Sequence, residues 1–304
     1  MNNFINILYA VNYMVLEALI SPDKAENRPV LLMFLGFMYT SLAMFLAYMI
    51  FKQYSSLFMV FLATIASVPL MYKLIKMEEE KDITDTSEVI LLKEHWKALS
   101  AFMYLFLGAT LAFVFWYVVL PSETVSILFE SQTSTIISIN GRTTEATGNV
   151  ITGGATSFSV FSKIFFNNVK VLLFCVLFSF LYGAGAIFIL LWNASVIGTA
   201  IGNFIRSNIA SIAAQAGGAG IGTYFSVVSV GLFKYIIHGF PEILAYFVGA
   251  LAGGIISIAI INHDVATRKF EHVILDAADL MMLALVITFI AAILEVYVTP
   301  MFFG

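Results

Sequence analysis

Several uninterrupted apolar runs of about 20 residues constrain this chain more than any other feature of its sequence. A helix of that length crosses the hydrocarbon core of a bilayer, and the runs lack the two-residue alternation of a transmembrane β-barrel. Hydrophobic residues make up 61% of the 304 residues, charged residues make up 11%, and the mean hydropathy is +0.95. Because this composition lies far from that of soluble proteins, the sequence predicts an all-α, polytopic transmembrane helical bundle.

The N-terminal part of the chain divides into three predicted regions. Residues 1–29 hold apolar residues at helical spacing in a segment too short to cross the membrane, which predicts an interfacial N-terminal helix. Residues 30–120 hold N-terminal transmembrane helices and a charged linker at 73–97, whose five lysines and seven acids indicate a solvated loop. Residues 121–168 are rich in Ser, Thr, Asn and Gly and predict a polar extracytoplasmic insert that ends in an interfacial elbow helix.

Residues 169–304 form the predicted C-terminal transmembrane core, with spans at about 169–192, 241–261 and 280–298. The stretch 193–238 between them is interrupted by a glycine-rich run, residues 217–222. Two half-length apolar pieces around such a break are typical of a broken or re-entrant element, which needs cover from protein or from a water-filled cavity. A single net crossing of this stretch gives about seven crossings in total; a double crossing is the alternative.

The placement of Lys and Arg predicts the orientation. With a cytoplasmic N-terminus, nine of these residues lie inside and five outside, which agrees with the positive-inside rule. The predicted location is the cell membrane, as a multi-pass protein whose first partner is the lipid bilayer. No basic patch interleaved with aromatics supports nucleic-acid binding. The single cysteine cannot form an internal disulfide, and the sequence predicts no metal site and no cofactor.

A sparse polar set within the apolar second half is the candidate site. It consists of Asn167, Asn168, Asn193, His238 and Glu242. Polar groups at the edges of spans are costly unless they find partners, and in membrane proteins they mark candidate functional sites. The predicted topology brings Asn168, His238 and Glu242 together at the outer face and leaves Asn193 at the inner face.

Two interpretations of that set stay open. Pro241 suits the first turn of a helix, where a carboxylate at Glu242 would complement the helix dipole with His238 bound to it. The alternative is a site for a ligand, a proton or a lipid headgroup. A catalytic dyad is the weakest interpretation, because His and Glu lack a nucleophile or a third metal ligand.

Glycines in the same half are candidates for helix packing or helix breaks. They are Gly183, Gly185, Gly198, Gly202, Gly239, Gly249 and Gly253. The four-residue spacing of Gly198 with Gly202, and of Gly249 with Gly253, permits close approach of helices. Packing within one chain is the first interpretation of these pairs, and a homodimer interface is the second.

The order of these motifs resembles the stage II sporulation protein M family, a family of integral membrane proteins also filed as a domain of unknown function. The elements are Phe-x-Asn-Asn-x-Lys-Val from Phe165, Gly-x-Gly at Gly183, Leu-x-Asn with a later glycine at Leu191, and His-Gly-x-x-Glu at His238. They cover about 163–262. Asn193 is followed by alanine, where the family often has glycine. The N-terminal pattern from Leu16 to Phe37 is similar to archaeal members.

The resemblance implies a non-enzymatic membrane protein that acts as a scaffold or anchor for partner proteins. The family's sporulation member anchors cell-wall-degrading enzymes during engulfment, but that wall substrate does not carry over to an archaeal-type chain. Contacts are expected through 121–168 or 73–97. The alternative function is a transporter, channel or lipid-handling protein with a polar site at Asn168, His238 and Glu242.

Overall fold

The computed structural model describes residues 28–83, 88–147, 153–179, 184–216, 221–261 and 268–303, and the regular structure in these ranges is helical throughout. The predicted interfacial helix of residues 1–29 therefore lies almost entirely outside the described residues. The helices are α1 (Pro29–Phe51), α2 (Ser55–Ile83), α3 (Glu88–Val119), α4 (Ser122–Leu128), α5 (Glu130–Thr147), α6 (Gly153–Ser179), α7 (Ala184–Ala216), α8 (Ile221–Ile261), α9 (Arg268–Ile293) and α10 (Thr299–Phe303). A 3-10 turn, Lys52–Tyr54, joins α1 to α2, and a π-helical segment, Leu294–Val298, joins α9 to α10.

Six stretches of the described chain are long and apolar enough to cross a membrane, which confirms the predicted all-α polytopic bundle. They are Pro29–Leu74, Leu99–Val119, Ser157–Ser179, Gly185–Ala214, Gly239–Ser257 and Phe270–Phe302. The first stretch is 46 residues long and contains two helices, α1 and α2, which pack against each other. The predicted number of about seven crossings therefore fits this architecture.

The helices enclose one large apolar core that runs through the bundle. Its largest fully buried side chains include Phe102, Phe113, Phe129, Tyr246 and Phe247. Apolar side chains also cover the outside of the bundle, among them Met38 and Met49 on α1. Such exposure is expected where lipid, and not water, surrounds the protein.

Close backbone contacts fix which helices are neighbours. A Cβ added at Gly36 of α1 would meet the carbonyl group of Leu105 on α3, and one added at Gly108 would meet that of Met33. The two backbones therefore touch where α1 crosses α3, as in other membrane helix pairs that meet through small residues. Glycine at both positions is required by this approach.

The charged linker at 73–97 is not the loop that its composition predicts. Helix α2 continues to Ile83 and α3 already begins at Glu88, so most of the linker belongs to these two helices. Long runs of Glu and Lys have high intrinsic helix propensity, which explains why charge did not end the helices. We call residues 75–83 and 88–98, which lie beyond the candidate spans, the charged projection.

The polar insert at 121–168 contains helices that contact the bundle. Helices α4 and α5 bring Phe129 and Gln132 into the interior, and both side chains are fully buried. The predicted boundary at 168 falls inside α6 (Gly153–Ser179), whose candidate membrane span is Ser157–Ser179. The segment expected to form an interfacial elbow thus belongs to the first turns of that span. Its residues Phe161 and Phe165 pack on Phe289, with 5.4 and 5.8 Å between ring centroids.

The later helix boundaries also differ from the predicted ones. The predicted break near 192 is wrong, because α7 runs without interruption from Ala184 to Ala216. The glycine-rich run coincides with the boundary between α7 and α8, whose arms pack against each other. Helix α8 then continues through Pro241, which was expected in a first helical turn. A proline inside a helix removes one backbone hydrogen bond, and α8 is nevertheless continuous at Pro241.

Candidate functional site

Two carboxylates and a tyrosine form a polar cluster at membrane depth. The hydroxyl of Tyr246 donates a hydrogen bond to Oε1 of Glu242 at 2.7 Å, one helical turn earlier on α8. Glu295 lies in the π-helical segment that follows α9, and this segment contacts α8, the helix of both residues. We call Glu242, Tyr246 and Glu295 the acidic cluster.

The position of Glu242 rules out the predicted role as a helix N-terminal cap. It lies in the interior of α8, more than 20 residues after the first residue of that helix, Ile221. The dipole of a helix acts on charges in its first and last turns, so it does not compensate a carboxylate here. The partner that the structure provides is the Tyr246 hydroxyl, whose side chain is fully buried.

The surroundings of Glu295 are unusual as well. The wider helical turn of a π segment is rare and occurs most often at functional sites. The segment Leu294–Val298 contacts α6 and α8, and Glu295 within it is half-buried. Ionisable groups inside spans that face a bundle interior typically mark the path of an ion, a proton or a substrate.

The predicted asparagines lie at different places. Asn168 of α6 is only 4% exposed, and its Nδ2 has no hydrogen-bond partner within the described part of the chain. Asn167 is exposed. Asn193 does not mark the inner end of a span: it lies in the tenth position of α7, and its Nδ2 donates to the carbonyl oxygen of Ile189 at 2.9 Å.

The predicted convergence of Asn168, His238 and Glu242 stays partly open. No hydrogen bond joins the Asn168 amide nitrogen to the Glu242 carboxylate in the described structure. Position 238 lies on α8, but its side chain is outside the described residues. Helices α6 and α8 run parallel, because Gly249 contacts Leu172, and Gly253, four residues later, contacts Val176 and Ser179. These parallel helices carry the asparagine and the carboxylate.

Small residues in the second half lie at contacts between helices of the same chain. A Cβ on Gly198 would come within 2.5 Å of Phe113, and one on Gly202 within 2.7 Å of Tyr117, both on α3. Gly249 and Gly253 approach α6 in the same way. A Cβ on Gly185 would come within 2.6 Å of Phe178. Gly183 is outside the described residues.

A second polar group, which sequence reasoning did not find, lies where α2, α5 and α7 meet. The Nε2 of Gln132 donates to the carbonyl oxygen of Ser56 at 2.9 Å and to Oγ of Ser195 at 3.1 Å, and Oγ of Ser131 lies 2.7 Å from Oγ of Ser56. The Gln132 Oε1 is buried and has no partner in the described structure. In the sequence, Gln132 is one of many polar residues in a polar region. Its burial sets it apart from them, and sequence alone does not show burial.

Arg206 closes the end of α3. Its guanidinium donates to the carbonyl oxygens of Tyr117 and Leu120 at 3.0 and 3.2 Å, and to Oγ of Ser122 at 2.8 Å. The last carbonyl groups of a helix have no partner within that helix, and a cation there also complements the helix dipole. This one side chain therefore joins α7 to both α3 and α4.

Metal chemistry has no support in the described residues, which contain no group of three or more His, Cys, Asp or Glu side chains placed to hold an ion. Cys175 is free and buried on α6. The arrangement is therefore a pair of carboxylates with a hydroxyl donor inside an apolar bundle.

Comparison with known proteins gives one family match. The model of a family described as Stage II sporulation protein M matches residues 102–300, more than half of the chain. The match begins in α3 and ends in α10, so it includes the acidic cluster, Gln132 and Arg206. No curated protein and no solved structure matches.

Proposed function

We propose, since the chain belongs to the stage II sporulation protein M family, that this integral membrane protein is a non-enzymatic scaffold that anchors partner proteins. The charged projection is the observation that carries this proposal. Helix α2 continues nine residues past Leu74, and α3 begins eleven residues before Leu99. At 1.5 Å per residue these extensions reach about 14 and 17 Å beyond the candidate spans.

The composition of the charged projection suits a binding surface outside the membrane. It contains both acidic and basic residues, with the acidic run Glu78, Glu79 and Glu80 in α2, and such charges favour selective contacts with a charged partner surface. The region 121–168 was the other expected contact site. Its helices α4 and α5 bury apolar residues against the bundle, which favours the charged projection as the partner site.

Crosslinking and co-purification from native membranes test the scaffold. We expect the wild-type chain to retain a stable partner and the triple variant Glu78→Lys, Glu79→Lys, Glu80→Lys to lose it, because the reversed charges repel the surface that the acids attract. The matched control is the double variant Glu123→Lys, Glu130→Lys, whose exposed side chains lie near the opposite end of α2. Absence of any stable partner, or a partner that the triple variant retains, overturns the proposal.

The acidic cluster favours a second candidate function, transport of an ion, a proton or a lipid headgroup through the bundle. Two carboxylates at membrane depth are costly, and a π segment beside one of them is a frequent feature of functional sites. The unpartnered Nδ2 of the buried Asn168 adds a free donor within the same half of the bundle.

Reconstitution into liposomes, with ion-flux and lipid-scrambling measurements, tests this second candidate. We expect flux with the wild-type chain and its loss in the variants Glu242→Gln and Glu295→Gln, which keep side-chain shape but remove the charge. Glu271→Gln is the matched control, since Glu271 is exposed in the first turn of α9. Flux no greater than in protein-free liposomes, or flux equal in all variants, excludes transport through the cluster.

A further inference from the structure

An apolar cavity of about 370 Å³ lies between α3, α7 and α8, and neither Glu242, Tyr246 nor Glu295 lines it. Its walls are almost entirely hydrocarbon, supplied by residues such as Leu107, Val114 and Ile197. Thr110 also lines it, but its hydroxyl donates to the carbonyl oxygen of Phe106 at 3.0 Å. Because Leu107, Ile236 and Phe240 in its lining are also exposed on the surface of the bundle, this apolar space opens toward the surrounding lipid.

The cavity lies at the depth of the lipid tails. Its lining on α3 runs from Trp96 to Val114, a distance of about 27 Å along a helix. Trp96 stands just outside the span that begins at Leu99 and is 55% exposed. Tryptophan concentrates at membrane interfaces, so one end of the cavity opens at headgroup level while the rest reaches into the membrane.

The shape and chemistry of the cavity indicate what it holds. It follows α3 for about 27 Å, and its walls are almost entirely hydrocarbon. A single extended hydrocarbon chain matches both properties. We propose that it binds one acyl chain of a membrane phospholipid, with the headgroup beside Trp96.

Gly239 keeps the space open. A Cβ built on this residue meets no heavy atom within 4 Å, and the residue lines the cavity on α8. We therefore expect a larger side chain at this position to occupy part of the cavity. The glycine of the His-Gly-Phe-Pro-Glu sequence is thus assigned a role in leaving room for lipid, independent of the scaffold proposal.

Lipid titration of the purified full chain, followed by native mass spectrometry, tests this assignment. The probe is dioleoylphosphatidylglycerol added in detergent micelles. We expect the wild-type chain to bind one lipid and Gly239→Leu to bind it about tenfold more weakly or worse, because the leucine displaces about two methylene groups. Gly222→Leu is the matched control, since Gly222 lies on the same helix, also has open space, and does not line the cavity.

A second variant keeps the test informative if the Gly239→Leu protein does not fold. Ile236 lines the cavity and is 50% exposed, so Ile236→Trp narrows the space at a position that tolerates a larger side chain. The same weakening in both variants, with normal binding in Gly222→Leu, supports the acyl-chain site. Wild-type binding of no lipid, or equal binding in all four proteins, overturns it, as does a dimer that the Gly239→Leu substitution dissociates.

Discussion

At the scale of single residues, specific hydrogen bonds hold several of the buried polar side chains. Gln132 uses both hydrogens of its amide, one for a backbone carbonyl group and one for a serine hydroxyl on another helix. Glu242 accepts from Tyr246. In an apolar interior such bonds are retained because leaving either partner unpaired is costly. These residues therefore bear on both stability and function.

Replacement of Gln132 tests its contribution. We expect Gln132→Ala to lower the free energy of unfolding by about 2–4 kcal/mol, since it leaves the Ser56 carbonyl group unpaired and opens a cavity. Thermal unfolding in detergent measures the change. Gln53→Ala, at an exposed position in the turn between α1 and α2, serves as the control and should change stability little. Equal effects of the two substitutions would contradict the role assigned to Gln132.

At the scale of elements, the bundle is organised by places where helices meet without side chains between them. The α1–α3 crossing is the closest of these, with each glycine against the backbone of the opposite helix. In the α3–α7 pair, glycines lie against bulky side chains of α3, whereas in the α6–α8 pair Gly253 lies against the backbone of Val176. Association of membrane helices depends on such packing, because lipid supplies no hydrophobic drive between them.

At the α1–α3 crossing, we expect replacement of glycine by alanine to lower stability, although helix propensity alone would predict a gain. Alanine favours helices over glycine by about 1 kcal/mol, yet we expect Gly108→Ala to destabilise the protein by about 1–3 kcal/mol through overpacking. The added methyl group would strike the backbone of Met33. Thermal unfolding of Gly108→Ala is compared with that of Gly222→Ala, where the added methyl group has open space, so that overpacking is separated from helix propensity. Equal stability of the two variants would contradict the close backbone contact at the α1–α3 crossing.

The sequence could predict the elements far better than their ends or their contacts. Long apolar runs specify the spans, but the apolar run through Gly183 and Gly185 continues across the end of α6, so composition does not reveal the break. Glu242 stands out in sequence because a carboxylate in an apolar run is rare. Tyr246 does not, since an aromatic residue there looks like ordinary core, and Gly36 meets Leu105 only because the chain folds back.

At the scale of the whole molecule, orientation in the membrane is the property on which the scaffold proposal depends. Helix α1 begins near Arg28 and ends near Gln53, two exposed residues at opposite ends of one span. The protein is also suited to cysteine labelling, because its single cysteine, Cys175, is fully buried. A membrane-impermeant maleimide should therefore leave the unmodified chain unlabelled.

The orientation prediction follows from that property. With a cytoplasmic N-terminus, we expect Gln53→Cys to react with the impermeant maleimide in intact cells and Arg28→Cys to react only after permeabilisation. Gel-shift or mass measurement of the labelled chain reports both. The reverse pattern would place the charged projection outside the cell and exclude cytoplasmic partners for it.

Arg206 has a further consequence for the membrane around the protein. It lies 22 residues after the first residue of α7, or about 33 Å along the helix, close to the thickness of a hydrocarbon core of about 30 Å. The guanidinium is fixed there by three hydrogen bonds, so it cannot adjust its depth as a free side chain would. In a thinner or thicker bilayer the lipid must deform or the helix must tilt. The fixed position of this one arginine therefore limits how freely α7 can change its depth in membranes of different thickness.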